Sequence, residues 1–138
     1  MANKFILDSC ALLAYVYNEA GADVIESALK QADEGSAALY MNKLNLLEAY
    51  YDIMRSRGLQ QAEVLYNMVL MSPIHIIDGI SDPVFREAGR VKTQYRMSLA
   101  DSIALGEASV LEAAILTCDH HEFDLVERGE NIKFAWIR

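Results

Sequence analysis

Proline, glycine and cysteine are all scarce in this sequence. Two prolines and seven glycines in 138 residues leave no room for a Pro/Gly-rich linker, and no low-complexity stretch or repeat offers another place to divide the chain. One domain spanning residues 1–138 is therefore expected. The two cysteines, Cys10 and Cys118, form no CxxC pair, so neither a zinc ribbon nor a disulfide framework is indicated. Neither has a basic neighbour to activate a thiolate, so both read as small buried side chains, and a reducing cytoplasm fits best. Long apolar runs are missing as well. Asp8 interrupts the N-terminal run before it could form a signal-peptide core, and no segment approaches the roughly 20 apolar residues of a membrane span. Basic residues are few: 12 Lys+Arg against 20 Asp+Glu give a formal net charge of -8. Taken whole, that charge argues against a protein that coats phosphates with a basic surface.

What remains is a chain with 53% hydrophobic and 23% charged residues, enough apolar material to bury a core and too much for intrinsic disorder. Strand-length apolar runs occur at residues 5–7, 38–41, 74–77, 114–117 and 134–137, with amphipathic segments between the first four. Helices are expected near residues 10–18, 21–34, 43–57, 60–71, 82–96, 99–112 and 122–128. Gly58 marks one stop, Ser81-Asp82-Pro83 one start, and Ser98 another. The order predicts an α/β three-layer sandwich, with a mostly parallel central sheet of about five strands flanked by helices.

Ligands in open parallel sheets bind at the carboxyl ends of the strands. Asp8 ends the first strand and Asp119 ends the fourth, so both are expected on the same rim. Glu48 falls within an apolar stripe of Leu44, Leu47, Tyr51 and Met54, where an unpaired carboxylate would be costly. Asp101 begins the stripe Ala104, Leu105, Ala108 and Leu111. Singly, each acid has an ordinary structural role open to it: Asp8 and Asp119 as turn residues, Asp101 in a capping box, Glu48 in an ion pair. Together they would repel, by roughly 3 kcal/mol per ionised pair at about 5 Å and an effective dielectric near 20. No Lys or Arg lies within two positions of any of them. Divalent cations relieve such repulsion. All-oxygen ligation suits Mg²⁺ or Mn²⁺, and carboxylate-held metal pairs serve phosphodiester cleavage.

The stretches Phe5-Ile6-Leu7-Asp8-Ser9, Asn45-Leu46-Leu47-Glu48, Ser98-Leu99-Ala100-Asp101-Ser102-Ile103-Ala104 and Leu116-Thr117-Cys118-Asp119-His120-His121-Glu122-Phe123 carry a further signal. In this order the chain resembles the PIN-domain ribonucleases, in particular the VapC toxins of toxin-antitoxin pairs. The resemblance implies that Asp8, Glu48, Asp101 and Asp119 bind metal and carry catalysis, with Ser9 and Thr117 as polar neighbours and Asp124 as a further one. It also implies Mg²⁺- or Mn²⁺-dependent endonucleolysis of RNA, a homodimer, and an antitoxin that wraps the toxin and blocks its acidic pocket. One departure stands out. Residues 97–127 hold seven acids and no Lys or Arg, whereas the family surrounds its pocket with basic or polar side chains.

Arg86, Arg90, Lys92 and Arg96 lie on the helix before Asp101 and read either as a solvated face or as an RNA-phosphate track, with Arg55 and Arg57 as possible additions. His120 and His121 lack metal-ligand spacing and read as polar loop-to-helix residues; His75 reads as a core histidine. The apolar stretches Leu12–Tyr17 and Leu65–Met71 carry more apolar surface than one buried helix face requires; core packing is the default reading, and self-association or an antitoxin helix would use such surface as well. Two other functions fit the βα order. One is a phospho-acceptor receiver using Asp78, Thr117 and Lys133, although it lacks paired acids after the first strand. The other is a PIN-like module that binds without cleaving.

Overall fold

Apolar residues alternate along the strands, and the alternation sorts them onto two faces of one sheet. The computed structural model describes residues 3–138; Met1 and Ala2, which the single-domain expectation includes, lie outside the described residues. Twelve elements follow in order: β1 (Asn3–Leu7), α1 (Ser9–Val16), α2 (Ala22–Asp33), β2 (Ala37–Asn42), α3 (Lys43–Arg57), α4 (Leu59–Met71), β3 (Ile74–Ile77), α5 (Asp82–Gln94), α6 (Leu99–Leu111), β4 (Ala114–Thr117), α7 (His120–Gly129) and β5 (Phe134–Trp136). Every strand pairing is parallel, in the order β3-β2-β1-β4-β5. The expected three-layer α/β architecture is thus observed, with the sheet parallel throughout.

On one face, Leu7, Leu39, Met41 and Leu116 pack against Leu12 of α1, Ile25 of α2, Leu46 and Ile53 of α3 and Leu65 of α4. On the other, Ile6 and Ile115 meet Val91 of α5, Leu105 of α6, and Phe123 and Val126 of α7. A strand side chain and its successor point to opposite faces, so Ile6/Leu7 and Ile115/Leu116 each serve both cores. The helix signals hold: Gly58 caps α3 with φ 93°, the Ser81 hydroxyl accepts from the Val84 N–H, and Ser98 caps α6.

Two packing expectations need correction. The buried face of α3 is Asn45, Leu46, Ala49 and Ile53, whereas Leu47, Tyr51 and Met54 of the supposed core stripe are exposed. The apolar stripe was real but faces outward, because the sheet takes the adjacent helix face. His75 is exposed rather than core: β3 is an edge strand, and the imidazole meets Tyr40 edge-on with ring centroids 5.6 Å apart.

Candidate active site

Leu7 pairs with Leu116 across the β1–β4 ladder, so the residues that follow each strand emerge side by side. Strand order also reverses here, with β2 and β3 leading one way from β1 and β4 and β5 the other, which opens a crevice at the carboxyl ends. Asp8 closes β1 and caps α1: its Oδ1 accepts from the Ala11 N–H at 2.9 Å and its Oδ2 accepts from the Thr117 hydroxyl. Thr117 Oγ1 accepts in turn from the Asp119 N–H at 3.1 Å. Asp119 caps α7 through the Glu122 N–H at 3.2 Å. Asp101 stands in the first turn of α6, its N–H held by Ser98 Oγ at 3.1 Å. Glu48 arrives from α3 and accepts from the Ser9 hydroxyl.

Asp8 and Asp119 therefore do the ordinary work of helix caps and also share a site. A cap uses one lone pair of a carboxylate that has about four. Ser9, Glu48, Asp101 and Asp119 line one open cleft of about 590 Å³, and Asp8 lies behind them, 1% exposed. Burial pushes the Asp8 carboxyl up from 3.8 to about 7; the charges of Asp119 and Glu48 add to the rise, while the bonds from Thr117 and Ala11 oppose it. Asp101 is likewise raised to about 7, by burial first and then by the charges of Asp8 and Asp119. All four carboxylates thus share one electrostatic field.

Among the described residues no three His, Cys, Asp or Glu side chains are grouped closely enough to hold a metal ion as they stand. The donor set still fits a hard divalent cation in kind: four carboxylates, two of them desolvated and held towards their neutral forms for want of positive charge. A divalent ion would remove the repulsion that holds them apart.

The cysteines overturn the sequence expectation. Cys10 and Cys118 form a disulfide, with Cα atoms 6.0 Å apart, so they are neither unpaired nor inert packing. The bond was not legible because a separation of 108 residues is bridged only by the β1–β4 pairing. The cysteine count then no longer speaks for a reducing compartment.

Other expected residues are dispersed. Asp124 pairs with His120 at 2.8 Å and does not line the cleft. His120 also bonds the Arg138 carbonyl at 2.9 Å and stacks on Trp136, as a polar residue at a helix start. On α5, Arg90 is tied to Glu87 and Glu130 beside Ala113 and Lys133, at the opposite end of the strands from the carboxylates. Lys92 donates to the Met97 carbonyl at 2.8 Å. Arg86 and Arg96 are exposed.

The cleft's own basic residues are Arg55 and Arg138. Tyr51, Asp52 and Arg55 join Glu48 on one face of α3 at spacings of three, four and seven, a signal present in the sequence. The Arg55 guanidinium lies over the Tyr51 ring, 5.4 Å from its centroid. Arg138 had no such signal. It reaches the cleft because the Ile137 N–H continues the ladder to the Thr117 carbonyl at 3.0 Å, and its guanidinium meets Glu19 at 3.1 Å and the Ala20 carbonyl at 3.0 Å. A buried pair supports the site from below. Asn42 Nδ2 donates to Glu107 Oε2 at 2.7 Å, while Asn42 Oδ1 caps α3 through the Leu44 N–H at 2.9 Å. Asn45 Nδ2 ties α3 to the Ala100 carbonyl beside Asp101 at 3.0 Å.

Residues 5–129 match the PIN domain family, and the chain belongs to it. Fold and cleft together thus define a protein of the PIN class, whose members are nucleases. Among solved structures, the chain shares its fold with VapBC2 from Rickettsia felis bound to a promoter DNA fragment, at a TM-score of 0.75 and 15% identity over 96% of this chain and 98% of that one. DNA-bound VapBC from Salmonella typhimurium gives a TM-score of 0.75 and 14% identity over 99% of each chain. VapC20 from Mycobacterium tuberculosis, a sarcin-ricin loop cleaving toxin, gives 0.62 and 12% over 91% of this chain and 95% of that one. No curated protein matches the sequence.

Proposed function

We propose that the chain is a divalent-metal-dependent endoribonuclease of the VapC type, the toxin of a toxin-antitoxin pair. The observation that carries this reading is the convergence of Glu48, Asp101 and Asp119, from separate elements, on one cleft, with Asp8 buried behind them and raised to about 7. Asp8, Glu48, Asp101 and Asp119 would hold Mg²⁺ or Mn²⁺, which when bound supplies an activated water and stabilises charge on the leaving oxygen. Ser9 orients Glu48 and Thr117 orients Asp8. Arg55 and Arg138, at the cleft wall, hold RNA phosphates on either side of the scissile bond, a role for which Arg90 is badly placed.

The receiver alternative loses its footing. A receiver-type sheet runs 2-1-3-4-5, placing the acid after the third strand beside the first. Here β3 is at the edge, and Asp78 after it is 84% exposed and paired with Lys43. The structural relatives crystallised as VapBC complexes support an antitoxin partner, and the apolar surface on α3 and α4 suits that partner or a homodimer. The decisive experiment incubates antitoxin-free protein with a mixture of tRNA, rRNA and mRNA fragments, with and without Mn²⁺, beside Asp8→Asn. Mn²⁺-dependent internal cleavage, lowered more than about 100-fold in the variant, is expected, since even outer partners of a metal site are worth 10–100-fold. RNA bound but never cleaved would leave a PIN-like binding module instead.

A further inference from the structure

The Cys10–Cys118 bond joins the two backbone segments that carry the site. Cys10 follows Asp8 and Ser9, whose side chains respectively cap α1 and hold Glu48. Cys118 separates Thr117, which holds Asp8, from Asp119. The crosslink therefore lies within two residues of Asp8 and next to Asp119, and through Ser9 it borders Glu48. Non-covalent links between these segments are the β1–β4 ladder, ending in the long Asp8 N–H to Leu116 carbonyl contact of 3.4 Å, and the Thr117–Asp8 bond. Beyond the ladder, Asp8 on one segment and Asp119 on the other bring like charges together, with Glu48 and Asp101 beside Asp119 in the same cleft, and like charges repel. A covalent tie at that point is placed where the ladder gives out and the repulsion begins.

Cys10 lines the cleft itself, and neither cysteine is fully buried, so a small thiol can reach the bond. We propose that the disulfide is a redox-sensitive clamp: Cys10 and Cys118 act as positioning residues that keep the carboxylate-bearing segments together, so that a metal ion can draw the carboxylates in, and reduction by a dithiol loosens them. The inference rests on the nuclease reading for the identity of what the carboxylates bind. A dithiol's thiolate attacks the Cys10 sulfur, forming a mixed disulfide and releasing Cys118 as its thiolate, which takes a proton. The second thiol of the reductant then closes its own ring and releases Cys10. The dithiol is oxidised to a cyclic disulfide, and both electrons and both protons end on the cysteine pair.

The test is Mn²⁺ binding, followed by the electron paramagnetic resonance of the unbound ion, on the full chain at 20 °C. The oxidised protein, the protein reduced anaerobically with dithiothreitol and then desalted, the reoxidised protein, and the Cys10→Ala/Cys118→Ala variant are compared, with circular dichroism on each. Reduced and variant proteins should keep their helical signal and bind Mn²⁺ about tenfold more weakly, within the range for groups that position metal ligands; reoxidation should restore binding. Unchanged affinity on reduction overturns the clamp and leaves the nuclease reading intact. Failure of the oxidised protein to bind Mn²⁺ overturns that reading and, with it, the clamp's purpose. Loss of the helical signal in both the reduced protein and the variant makes the bond a staple for the fold, and alkylation of either cysteine in unreduced protein denies the bond; each of these also overturns the clamp.

Discussion

Asp8 caps a helix and at the same time faces three other acids, and these tasks pull its proton in opposite directions. The cap and the Thr117 bond favour the carboxylate; burial and the neighbouring charges favour the acid and prevail, at about 7. Asp101 shows the same balance. Both groups titrate near 3.8 when unfolded, so between about 4 and about 7 the folded state binds more protons than the unfolded one. Stability must then fall as pH rises through that window. Metal-free protein should melt several degrees lower at pH 8 than at pH 5 by calorimetry. Mg²⁺ should recover the loss at pH 8 and do little at pH 5, because metal ligands must first lose their protons. Asp8→Asn should raise the pH 8 midpoint while abolishing cleavage; a variant less stable than wild type at pH 8 would contradict the burden assigned to the charge.

Helix α3 shows what local pattern conveys and where it stops. Its extent from residue 43 to the Gly58 stop could be read directly, as could the presence of Glu48 among apolar residues. Which face the sheet would cover could not, because Leu44/Leu47/Tyr51 and Leu46/Ala49/Ile53 are both apolar stripes at helical spacing, and only tertiary contact chooses between them. The same holds for α6, buried on all sides from Asp101 to Ala108, where periodicity gives no direction. The acids at strand ends were legible because topology sends all carboxyl ends to one rim. Glu107 was not, since its partner Asn42 lies 65 residues away. Asn42 is the hinge of this arrangement. Asn42→Ala removes the α3 cap, worth about 1 kcal/mol, and strands the Glu107 carboxylate, worth about 1–3 kcal/mol. Urea unfolding should show a loss of about 2–4 kcal/mol, whereas Glu107→Gln, which keeps an acceptor for Asn42, should cost less than 1 kcal/mol at pH 8.

Across the whole molecule, the net charge of -8 and the proposed task of holding a polyanion are reconciled by location. Four acids belong to the cleft, so bound cations would offset half the formal imbalance. On the proposed function, contact with RNA falls to Arg55 and Arg138, the basic residues that line the cleft. Counterion release predicts a shallow salt dependence: two phosphate contacts give a slope of log K against log salt of about -1.4 for single strands. Fluorescence anisotropy with an RNA oligonucleotide in Ca²⁺ should give that slope, halved in Arg55→Ala or Arg138→Ala and unchanged in Arg86→Ala. A much steeper slope would place the binding surface elsewhere.

The bond between Cys10 and Cys118 also turns most of the polypeptide into a ring. Everything from α1 through β4 lies on a closed loop, and only the segments before Cys10 and after Cys118 hang from it. A protease that cuts once within the ring opens a circle rather than dividing a thread. On a denaturing gel without reductant, such a nicked chain should keep its full mass, while the same sample with reductant should separate into two fragments; a cut beyond Cys118, in α7 for instance, should release its piece under either condition.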